Sequence, residues 1–375
     1  DPIRRRIDLN AIPEEKRVGT DFAVDSRGAA SSSTDVLMSG DAAVRRIVAL
    51  HAPGLRAELT TRRALRYATN PGAASGLASH VRAASAIRRL GSRLIVVQDD
   101  VNALVVADAS SGFKPLLLPP GADGRRSFDD TIGNKHLKMD LEAAVVLPDG
   151  RVLAFGSGSA EAREYVVVFE SGTGVRVRHA RGLYERLRKL CEALGSDLNI
   201  EGSVIQGRRL RLFQRGNGAR LTGRGSVSRV FDVDLDQFLR WLAGRGPVPG
   251  VVDVLEVDLG SIEGVPFGFT DAAVTHDGRV AFIACAEESA DVRTDGPVLG
   301  CRFGWLDDTG AQVADVIEPD GSATLLKLEG IEPRPGSNRV FDVVADMDRP
   351  DQPAWVAELR VGDGPESGPV GLMDS

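Results

Sequence analysis

Short apolar stretches alternate with polar turns along most of the chain, and one arrangement of the two recurs. It reads DLEAAVVLPDGRVLAFGSGS at 140–159, NIEGSVIQGRRLRLFQRGNG at 199–218 and FTDAAVTHDGRVAFIACAEES at 269–289. In each segment an acidic residue followed by glycine or alanine opens an apolar run, which leads through a turn into a second apolar run and a polar loop. Asp-Gly between apolar runs is typical of a β-hairpin, so these segments predict hairpins.

The arrangement occurs five times, counting a degenerate first copy and a shorter last copy. The polar residues that open the copies lie 57 to 70 residues apart along the chain: Ser85, Glu142, Glu201, Asp271 and Glu329. Self-similarity at a nearly fixed period indicates a repeat architecture. Each copy reads as four short strands, and a four-stranded antiparallel unit is the blade of a β-propeller.

The sequence therefore predicts an all-β fold, a β-propeller of five blades with four antiparallel strands in each. The last copy is one strand short, and we expect an N-terminal strand within 44–69 to complete it and close the ring. Six blades, the extra one built from the N-terminal region, is the main alternative. The predicted propeller domain covers 44–362, between a partly irregular extension at 1–43 and a flexible tail at 363–375.

Two segments interrupt the strand pattern and predict short helical insertions. GLYERLRKLCEALG at 182–195 places four leucines on one stripe and ends at Gly195, and DLDQFLRWLAG at 234–244 repeats this more briefly. We interpret both helices as packing elements of the fold.

In a propeller the first strand of each blade lines the central channel, so the opening residues of the copies are expected to converge at its mouth. Four carboxylates gathered in a low dielectric repel one another unless they are protonated, paired with cations or bound to a metal. All-oxygen ligation suits Ca²⁺ best, with Mg²⁺ or Mn²⁺ as alternatives. The predicted metal ligands are Glu142, Glu201, Asp271 and Glu329. A purely structural role, in which the acids cap backbone N–H groups, is the alternative.

Polar loops after the second strand of each copy are expected at the same mouth, together with the connection GRRSFDDTIGNKHLKMDLEA at 124–143. This connection brings cations and an imidazole close to the acids, where the cations would neutralise the carboxylates, bind an anionic substrate or stabilise an oxyanion. His136 is the candidate general acid–base residue, beside Glu142, Glu201 and Asp271 as catalytic carboxylates. The predicted substrate-binding residues are Asp99, Asp100, Arg126, Lys135, Lys138, Arg215, Asn217 and Glu287.

Composition narrows the range of partners. The net charge of −7 argues against a nucleic-acid surface, and the longest apolar runs are too short to span a membrane. Three cysteines do not make a disulfide framework, so Cys285 and Cys301 are expected as buried free thiols although they lie on neighbouring predicted strands. A cytoplasmic location is favoured, a secreted or periplasmic one stays open, and the oligomeric state is undetermined.

The three quoted segments resemble an uncharacterised family of bacterial propeller proteins over roughly residues 80–360. They are more distantly similar to the "esterase-like activity of phytase" propellers and to the gluconolactonase, regucalcin and paraoxonase class. The resemblance implies a calcium ion held in the channel by Glu142, Glu201, Asp271 and Glu329, with assistance from Asn199. This chain departs from that class in lacking its asparagine ligands, its catalytic histidine pair and a sixth clear copy.

The leading functional hypothesis is a metal-dependent hydrolase acting on a small oxygen-rich substrate such as a lactone, ester or phosphoester. The sequence contains no G-x-S-x-G, H-E-x-x-H or G-x-x-x-x-G-K-[ST] motif, which disfavours serine hydrolases, zinc proteases and nucleoside triphosphatases. A non-catalytic propeller that binds a ligand or protein on its top face is the alternative. A glycosidase with paired carboxylates is a third hypothesis.

Overall fold

The computed structural model describes residues 37–39, 42–108, 112–216, 227–288 and 296–363. Regular structure in these ranges is overwhelmingly β-strand, so the protein is all-β as predicted. Most of the predicted extension at 1–43, and all of the predicted tail at 363–375 except its first residue, lie outside the described residues.

The strands follow the repeats along the chain. Three strands precede the repeats: β1 (Leu37–Ser39), β2 (Ala42–His51) and β3 (Leu55–Ala64). The first sheet contains β4 (Ala84–Leu90), β5 (Arg93–Gln98), β6 (Ala103–Asp108) and β7 (Gly112–Leu117). The second sheet contains β8 (Leu141–Val146), β9 (Val152–Gly156), β10 (Tyr165–Glu170) and β11 (Gly174–His179).

The remaining sheets are built in the same order. The third sheet contains β12 (Ile200–Gln206), β13 (Arg209–Gln214), β14 (Ser228–Asp234) and β15 (Val251–Asp258). A two-residue strand, β16 (Ser261–Ile262), leads into the fourth sheet, which contains β17 (Val265–Val274), β18 (Val280–Glu287), β19 (Val298–Leu306) and β20 (Ala311–Ile317). The fifth sheet begins with β21 (Lys327–Pro333), β22 (Val340–Asp346) and β23 (Trp355–Asp363).

The N-terminal strands pair with the third, fourth and fifth sheets and connect them into one continuous hydrogen-bonded sheet, in which β3 also lies parallel to β20. β3 pairs antiparallel with β23 and is the fourth, outer strand of the fifth sheet. β2 lies parallel to both β15 and β20, so it bridges the outer edges of the third and fourth sheets. The last repeat therefore takes its missing strand from the start of the domain.

The first strands of the five sheets contact one another in a closed cycle. β4 contacts β8, β8 contacts β12, β12 contacts β17, β17 contacts β21, and β21 contacts β4. Five apolar clusters follow the same order, each formed between two neighbouring sheets. Burial between sheets is what holds this arrangement together, because a single four-stranded sheet with two apolar faces cannot cover both by itself.

Each first strand carries a β-bulge at the same position of the repeat. One residue of the strand has no partner on the second strand of its sheet. The unpartnered residues in chain order are Ser85, Glu142, Glu201, Thr270 and Glu329. A bulge leaves one residue outside the pairing between two strands and changes the direction of its side chain. None of these five polar residues is therefore paired with the second strand of its sheet.

The small residue after each bulged glutamate is required by close packing between first strands. A Cβ atom on Gly330 would lie 2.9 Å from the backbone nitrogen of Ile87 in the first sheet. A Cβ atom on Gly202 would lie 3.1 Å from backbone atoms at Asp271 and Ala272 in the fourth sheet. The sequence Glu-Gly therefore combines a polar side chain at the bulge with a glycine that leaves room for the neighbouring first strand.

Arg88 of β4 ties the five first strands together at their centre. Its guanidinium donates to both carboxylate oxygens of Asp271, at 2.7 and 2.8 Å. It also donates to four backbone carbonyls on the other first strands, those of Ala144, Ser203, Ala272 and Ile331. The arginine thus satisfies polar groups from all four other sheets inside the ring of strands.

Both predicted helices are present. α1 (Arg181–Ala193) and α2 (Leu235–Leu242) bury their apolar faces in the cluster between the second and third sheets. Asp234 caps α2 by accepting a hydrogen bond from the backbone N–H of Gln237 at 2.8 Å. Across the described ranges, neither helix has the length and apolar character that crossing a bilayer requires.

The expectation of free thiols at Cys285 and Cys301 is wrong. The two residues stand directly opposite each other on β18 and β19, with Cα atoms 4.1 Å apart, and form a disulfide. Whether two strand cysteines meet depends on the exact register, which the sequence does not reveal because a bulge shifts it at Ala286/Glu287. Cys191 on α1 is a buried free thiol.

Replacing Gly330 by alanine tests the close packing of the first strands. We expect Gly330→Ala to lower the free energy of unfolding by about 1–3 kcal/mol, because the added methyl group meets backbone that cannot move aside. Gly310→Ala is the matched control, since nothing lies within 4 Å of its added Cβ and its φ is not positive. Urea unfolding of both variants measures the difference, and equal stability of the two would contradict the packing argument.

Candidate functional site

The bulges place three glutamates at equivalent positions of different sheets. Glu142, Glu201 and Glu329 occupy the bulge of the second, third and fifth sheets. In the first and fourth sheets the position holds a hydroxyl residue, and each hydroxyl donates to a backbone carbonyl of the next sheet. Ser85 Oγ donates to Leu141 O at 2.6 Å, and Thr270 Oγ1 donates to Leu328 O at 2.6 Å. The hydroxyls join neighbouring sheets through backbone carbonyls, whereas the glutamates make no such bond to the next sheet.

Asp271 does not share the position of the three glutamates. It follows the bulge of β17 by one residue, where the other copies have alanine or glycine. Its fully buried carboxylate is paired with Arg88 and accepts a hydrogen bond from the backbone N–H of Ile331 at 2.9 Å. Both oxygens are therefore engaged in holding sheets together, which removes Asp271 from the metal ligands and catalytic carboxylates that the repeat alignment predicts.

A lysine lies inside a set of carboxylates beside the second sheet. Lys138 Nζ is 2.7 Å from Asp99 Oδ2, 2.8 Å from Asp100 Oδ1 and 2.7 Å from Asp140 Oδ1. Oxygens of Asp99, Asp140 and Glu142 lie within 4.8 Å of one another. Asp140 also pairs with Arg163 at 2.8 Å and accepts a hydrogen bond from Ser157. Lys138 is thus bound internally here, where the sequence predicts a substrate contact.

Arg215 connects the third sheet to the fourth. Its guanidinium lies 3.4 Å from Glu201 Oε1 and 2.6 Å from Glu287 Oε2. Asn199 Nδ2 donates to Glu201 Oε1 at 2.5 Å. The predicted grouping of Arg215, Glu201 and Glu287 at one place is therefore present in the structure.

Lys327 makes the corresponding connection to the fifth sheet. Its ammonium lies 3.5 Å from Glu329 Oε1, 3.8 Å from Glu287 Oε1 and 3.0 Å from Asp348 Oδ1. The second oxygen of Glu329 is buried and has no hydrogen-bond partner among the described residues. Glu142 likewise accepts no hydrogen bond and forms no ion pair within the described ranges.

These contacts and charge interactions connect one continuous set of side chains, which we call the acidic group. Its nine carboxylates are Asp99, Asp100, Asp140, Glu142, Glu201, Glu287, Glu329, Asp346 and Asp348. Its five cations are Arg82, which lies 3.8 Å from Asp100 Oδ2, and Lys138, Arg163, Arg215 and Lys327. Nine acids therefore face five cations within the part of the chain that the structure describes.

Burial and mutual repulsion raise the pKa of several of these acids. Burial, followed by the charges of Asp99 and Asp140, raises the pKa of Glu142 well above its usual range. Burial raises the pKa of Asp99 to about 6 and that of Glu201 to about 7. Asp140 behaves oppositely, because Lys138 and Arg163 outweigh its burial and lower its pKa to about 2. The acidic group thus contains ionised and protonated carboxyls side by side near neutral pH.

Three residues that the sequence predicts at the site lie on the connection at 124–143, and the contacts described for them are outside the acidic group. His136 is exposed on a 3-10 turn at Lys135–Leu137. Arg126 Nε donates to Leu118 O at 2.7 Å, and Lys135 lies 3.4 Å from Asp130. Lys138, at the end of the connection, is bonded to Asp99, Asp100 and Asp140. Asn217 lies outside the described residues.

The sequence analysis missed two of the three residues that stand two positions before the glutamates. Asp140, Asn199 and Lys327 stand there, and all three take part in the contacts of the acidic group. The resemblance points to Asn199, and comparing the same position in the other copies adds Asp140 and Lys327.

Comparison with known proteins assigns the chain to a family. Residues 80–361 match the Family of unknown function (DUF6929). The chain belongs to this family. No curated protein matches it.

Solved structures with distant similarity to this DUF6929 chain include several enzymes and a calcium-binding protein. A gluconolactonase from Xanthomonas campestris is 10% identical with a TM-score of 0.35, covering 81% of this chain and 97% of its own. Regucalcin, described as a calcium-binding protein, from Agrobacterium tumefaciens is 10% identical with a TM-score of 0.38, covering 85% and 97%. Virginiamycin B lyase from Staphylococcus aureus is 10% identical with a TM-score of 0.32, covering 82% and 99%.

The raised pKa values predict that the metal-free protein loses stability as the pH rises from about 5 to 8. In the folded protein the pKa of Asp99 is about 6 and that of Glu201 about 7. In the unfolded chain both carboxyls have a pKa of about 4, so they hold their protons more tightly in the folded state. The native state therefore binds more protons in this window. Its free energy of unfolding falls by up to about 1.4 kcal/mol per pH unit for each such group.

Urea unfolding in EDTA at half-unit pH steps measures this slope. Glu201→Gln keeps the neutral shape of the side chain without the titration, so its slope is expected to be shallower between pH 5 and 7. The prediction is wrong if the free energy of unfolding of the wild type stays constant or increases between pH 5 and 7. That result would mean that ionising these acids does not destabilise the folded protein.

Proposed function

We propose that the five sheets are the blades of a five-bladed β-propeller closed by β3, with the acidic group at one mouth of its channel. The closed cycle of first-strand contacts and the five inter-sheet apolar clusters support this arrangement. The strand that the fifth repeat lacks is provided by the N-terminus. A sixth blade would need a further four-stranded unit between β3 and β4, where the described chain has only a 3-10 turn and isolated bridges.

We further propose that the acidic group binds a divalent cation and that the protein is a metal-dependent hydrolase of small oxygen-rich substrates. The observation that carries this proposal is the excess of carboxylates over cations in the acidic group, in which Asp140, Glu201 and Glu329 are buried. Buried like charges are retained only when protons or bound cations compensate them. Protonation would remove the charge, but Glu329 Oε2 would still be buried without a hydrogen-bond partner. A bound metal ion would provide that partner.

We assign Glu142, Glu201 and Glu329 to this cation as its ligands. Among the described residues, Asp99, Asp140 and Glu142 are the set whose oxygens already lie within 4.8 Å of one another, so binding one ion requires the three glutamates to draw closer together. They occupy equivalent bulges, and Glu142 and Glu329 hold oxygens that no described side chain occupies. A set of carboxylate oxygens suits Ca²⁺, Mg²⁺ or Mn²⁺. The set Asp99, Asp140 and Glu142 is a weaker fit, because the ammonium of Lys138 already bonds to the two aspartates.

A cation at this place would polarise a carbonyl or phosphoryl group or activate a water molecule. The residues of the chain would supply the rest. Arg215 and Lys327 would hold an anionic or polarised substrate oxygen beside Glu201 and Glu329. Asp99, with a pKa of about 6, would accept a proton near neutral pH.

Calorimetric titration with Ca²⁺, Mg²⁺ and Mn²⁺ tests the cation site directly. We expect at least one ion to bind, and an ion at about 100 times its Kd to raise the free energy of unfolding by about 2.7 kcal/mol. Glu329→Gln and Glu142→Gln are each expected to weaken binding roughly tenfold or more, because each removes a charged ligand. Hydrolysis of lactone, ester and phosphoester substrates should disappear in EDTA and return with the ion.

Glu185→Gln serves as the matched control, because Glu185 is an exposed acid on α1 that pairs only with Arg181 at 2.7 Å. It should bind the ion and turn over substrate like the wild type. Absence of binding by all three ions would refute the metal site, and ion binding without turnover of any substrate class would leave a cation-binding propeller that is not a hydrolase.

A second candidate, a glycosidase, is favoured by one observation. Glu142 and Asp140 lie in the same cluster with oxygens within 4.8 Å, yet their pKa values are driven apart. A protonated acid next to an ionised carboxylate is the pair that glycoside hydrolysis requires. Asp140 is held for such a role by Lys138 and Arg163.

Aryl glycosides assayed in EDTA distinguish the two candidates. A glycosidase would retain its activity without metal and would lose about 100-fold or more in kcat on Glu142→Gln, since general acid catalysis contributes about that factor. Its rate would also fall at high pH as Glu142 loses its proton. Glycoside turnover that needs a divalent ion, or that survives Glu142→Gln, would exclude this mechanism.

A further inference from the structure

A second cavity lies at the opposite ends of the first strands. It has a volume of about 170 Å³ and is lined by residues two to four positions beyond the bulges of β4, β8, β12, β17 and β21. Arg88 lies between this cavity and the acidic group, because it lines the cavity and pairs with Asp271 at the level of the bulges. The cavity therefore cannot belong to the site described above.

The polar lining of this cavity contains groups that still need partners. Ser203 Oγ and Arg89 Nε are both buried and have no hydrogen-bond partner among the described residues. Ser203 is completely buried, and the other end of the Arg89 guanidinium is fixed on Asp342 at 2.6 Å. Arginine Nε–H is only a donor, so an occupant must present an acceptor to it. An unsatisfied buried donor is costly, which favours a ligand that supplies one.

The charges around the cavity are balanced. Arg88 is paired with Asp271, and Arg89 is paired with Asp342. Glu332 accepts a hydrogen bond from the backbone N–H of Arg89 at 3.1 Å and interacts with the charges of both arginines. An anion would therefore lie beside Glu332 and a cation beside Arg88 and Arg89, so neither sign of net charge is favoured.

The rest of the wall is aliphatic. Val145, Val204, Ile205, Ala273 and Val274 line it. A cavity of this volume is close to one that holds a benzene-sized molecule. It therefore has room for roughly six non-hydrogen atoms, which would face both aliphatic side chains and the polar part of the wall.

We propose that this cavity is a second binding site, for a small neutral molecule that carries a carbonyl group on a short aliphatic body. The carbonyl oxygen accepts from Arg89 Nε and Ser203 Oγ, and the aliphatic part lies against the valines. The inference is independent of the proposed function, because it uses no residue of the acidic group.

Ligand-observed saturation-transfer NMR with three molecules of matched shape tests this assignment: isobutyramide (neutral, with a carbonyl), isobutyrate (anion) and isobutylammonium (cation). The titrations use the full chain at pH 7 in EDTA, so that no metal at the acidic group contributes. Isobutyramide is expected to bind most tightly. Ser203→Ala should weaken its binding about threefold to tenfold, because one hydrogen bond is lost. Ala273→Val, which fills part of the cavity, should weaken it further.

Glu185→Gln is again the control and should bind isobutyramide like the wild type. Ser203→Ala removes only the hydroxyl and keeps the backbone carbonyl that receives Arg88, so this variant is expected to fold. Three results would each overturn the proposal: no saturation transfer to isobutyramide, equal affinity in the wild type and both cavity variants, or tighter binding of isobutyrate or isobutylammonium.

Discussion

The close approach of five first strands around one axis is the constraint on which the rest of this structure depends. It leaves no room for a Cβ atom at Gly330, and it buries backbone carbonyls that have no water to bond to. Arg88 satisfies four of those carbonyls on the other strands with a single guanidinium, and Asp271 neutralises its charge. A buried ion pair contributes little net stability, since desolvation opposes it, but it bonds only when all five strands are in the correct register. The pair therefore specifies the geometry of the ring more than it stabilises it.

The same approach of strands explains why the acids collect where they do. A bulge at each strand start releases one residue from the ladder, and the small residue after it lets the neighbouring strand come close. Residues with a hydroxyl at the bulge bond to the next sheet and contribute to the scaffold, as Ser85 and Thr270 do. The three glutamates cannot be accounted for in this way. Their charges are buried together and raise one another's pKa, which lowers stability at neutral pH. A protein tolerates such destabilisation at a position where a ligand or a reaction makes use of it.

Much of this could be predicted from the sequence, because it depends on local patterns. The Asp-Gly turns predict the hairpins, the leucine stripe predicts α1, and the recurrence of an acid followed by alanine or glycine predicts the repeat. Contacts between distant segments were harder to predict. Asp271 aligns with the glutamates in the sequence, but in the structure it is Thr270 that occupies the bulge. Asp271 stands one residue later and is paired with the second strand of its sheet. Arg88 sits in an ordinary-looking pair of arginines, and its neighbours come from four other repeats. The pairing of Cys285 with Cys301 depends on a register that no sequence pattern fixes.

The position of Arg88 also decides how the two ends of the axis relate. It lines the distal cavity and pairs with Asp271 at the level of the bulges. The pair with Asp271 is electrically neutral, which limits the effect that a charge at one end exerts at the other. Movement of Arg88 would release carbonyls on four strands at once, and a ligand drives such a movement only through the difference in its affinity for the two states. Binding at the two proposed sites is therefore expected to be independent while Arg88 keeps its bonds, and each proposal can be tested without altering the other.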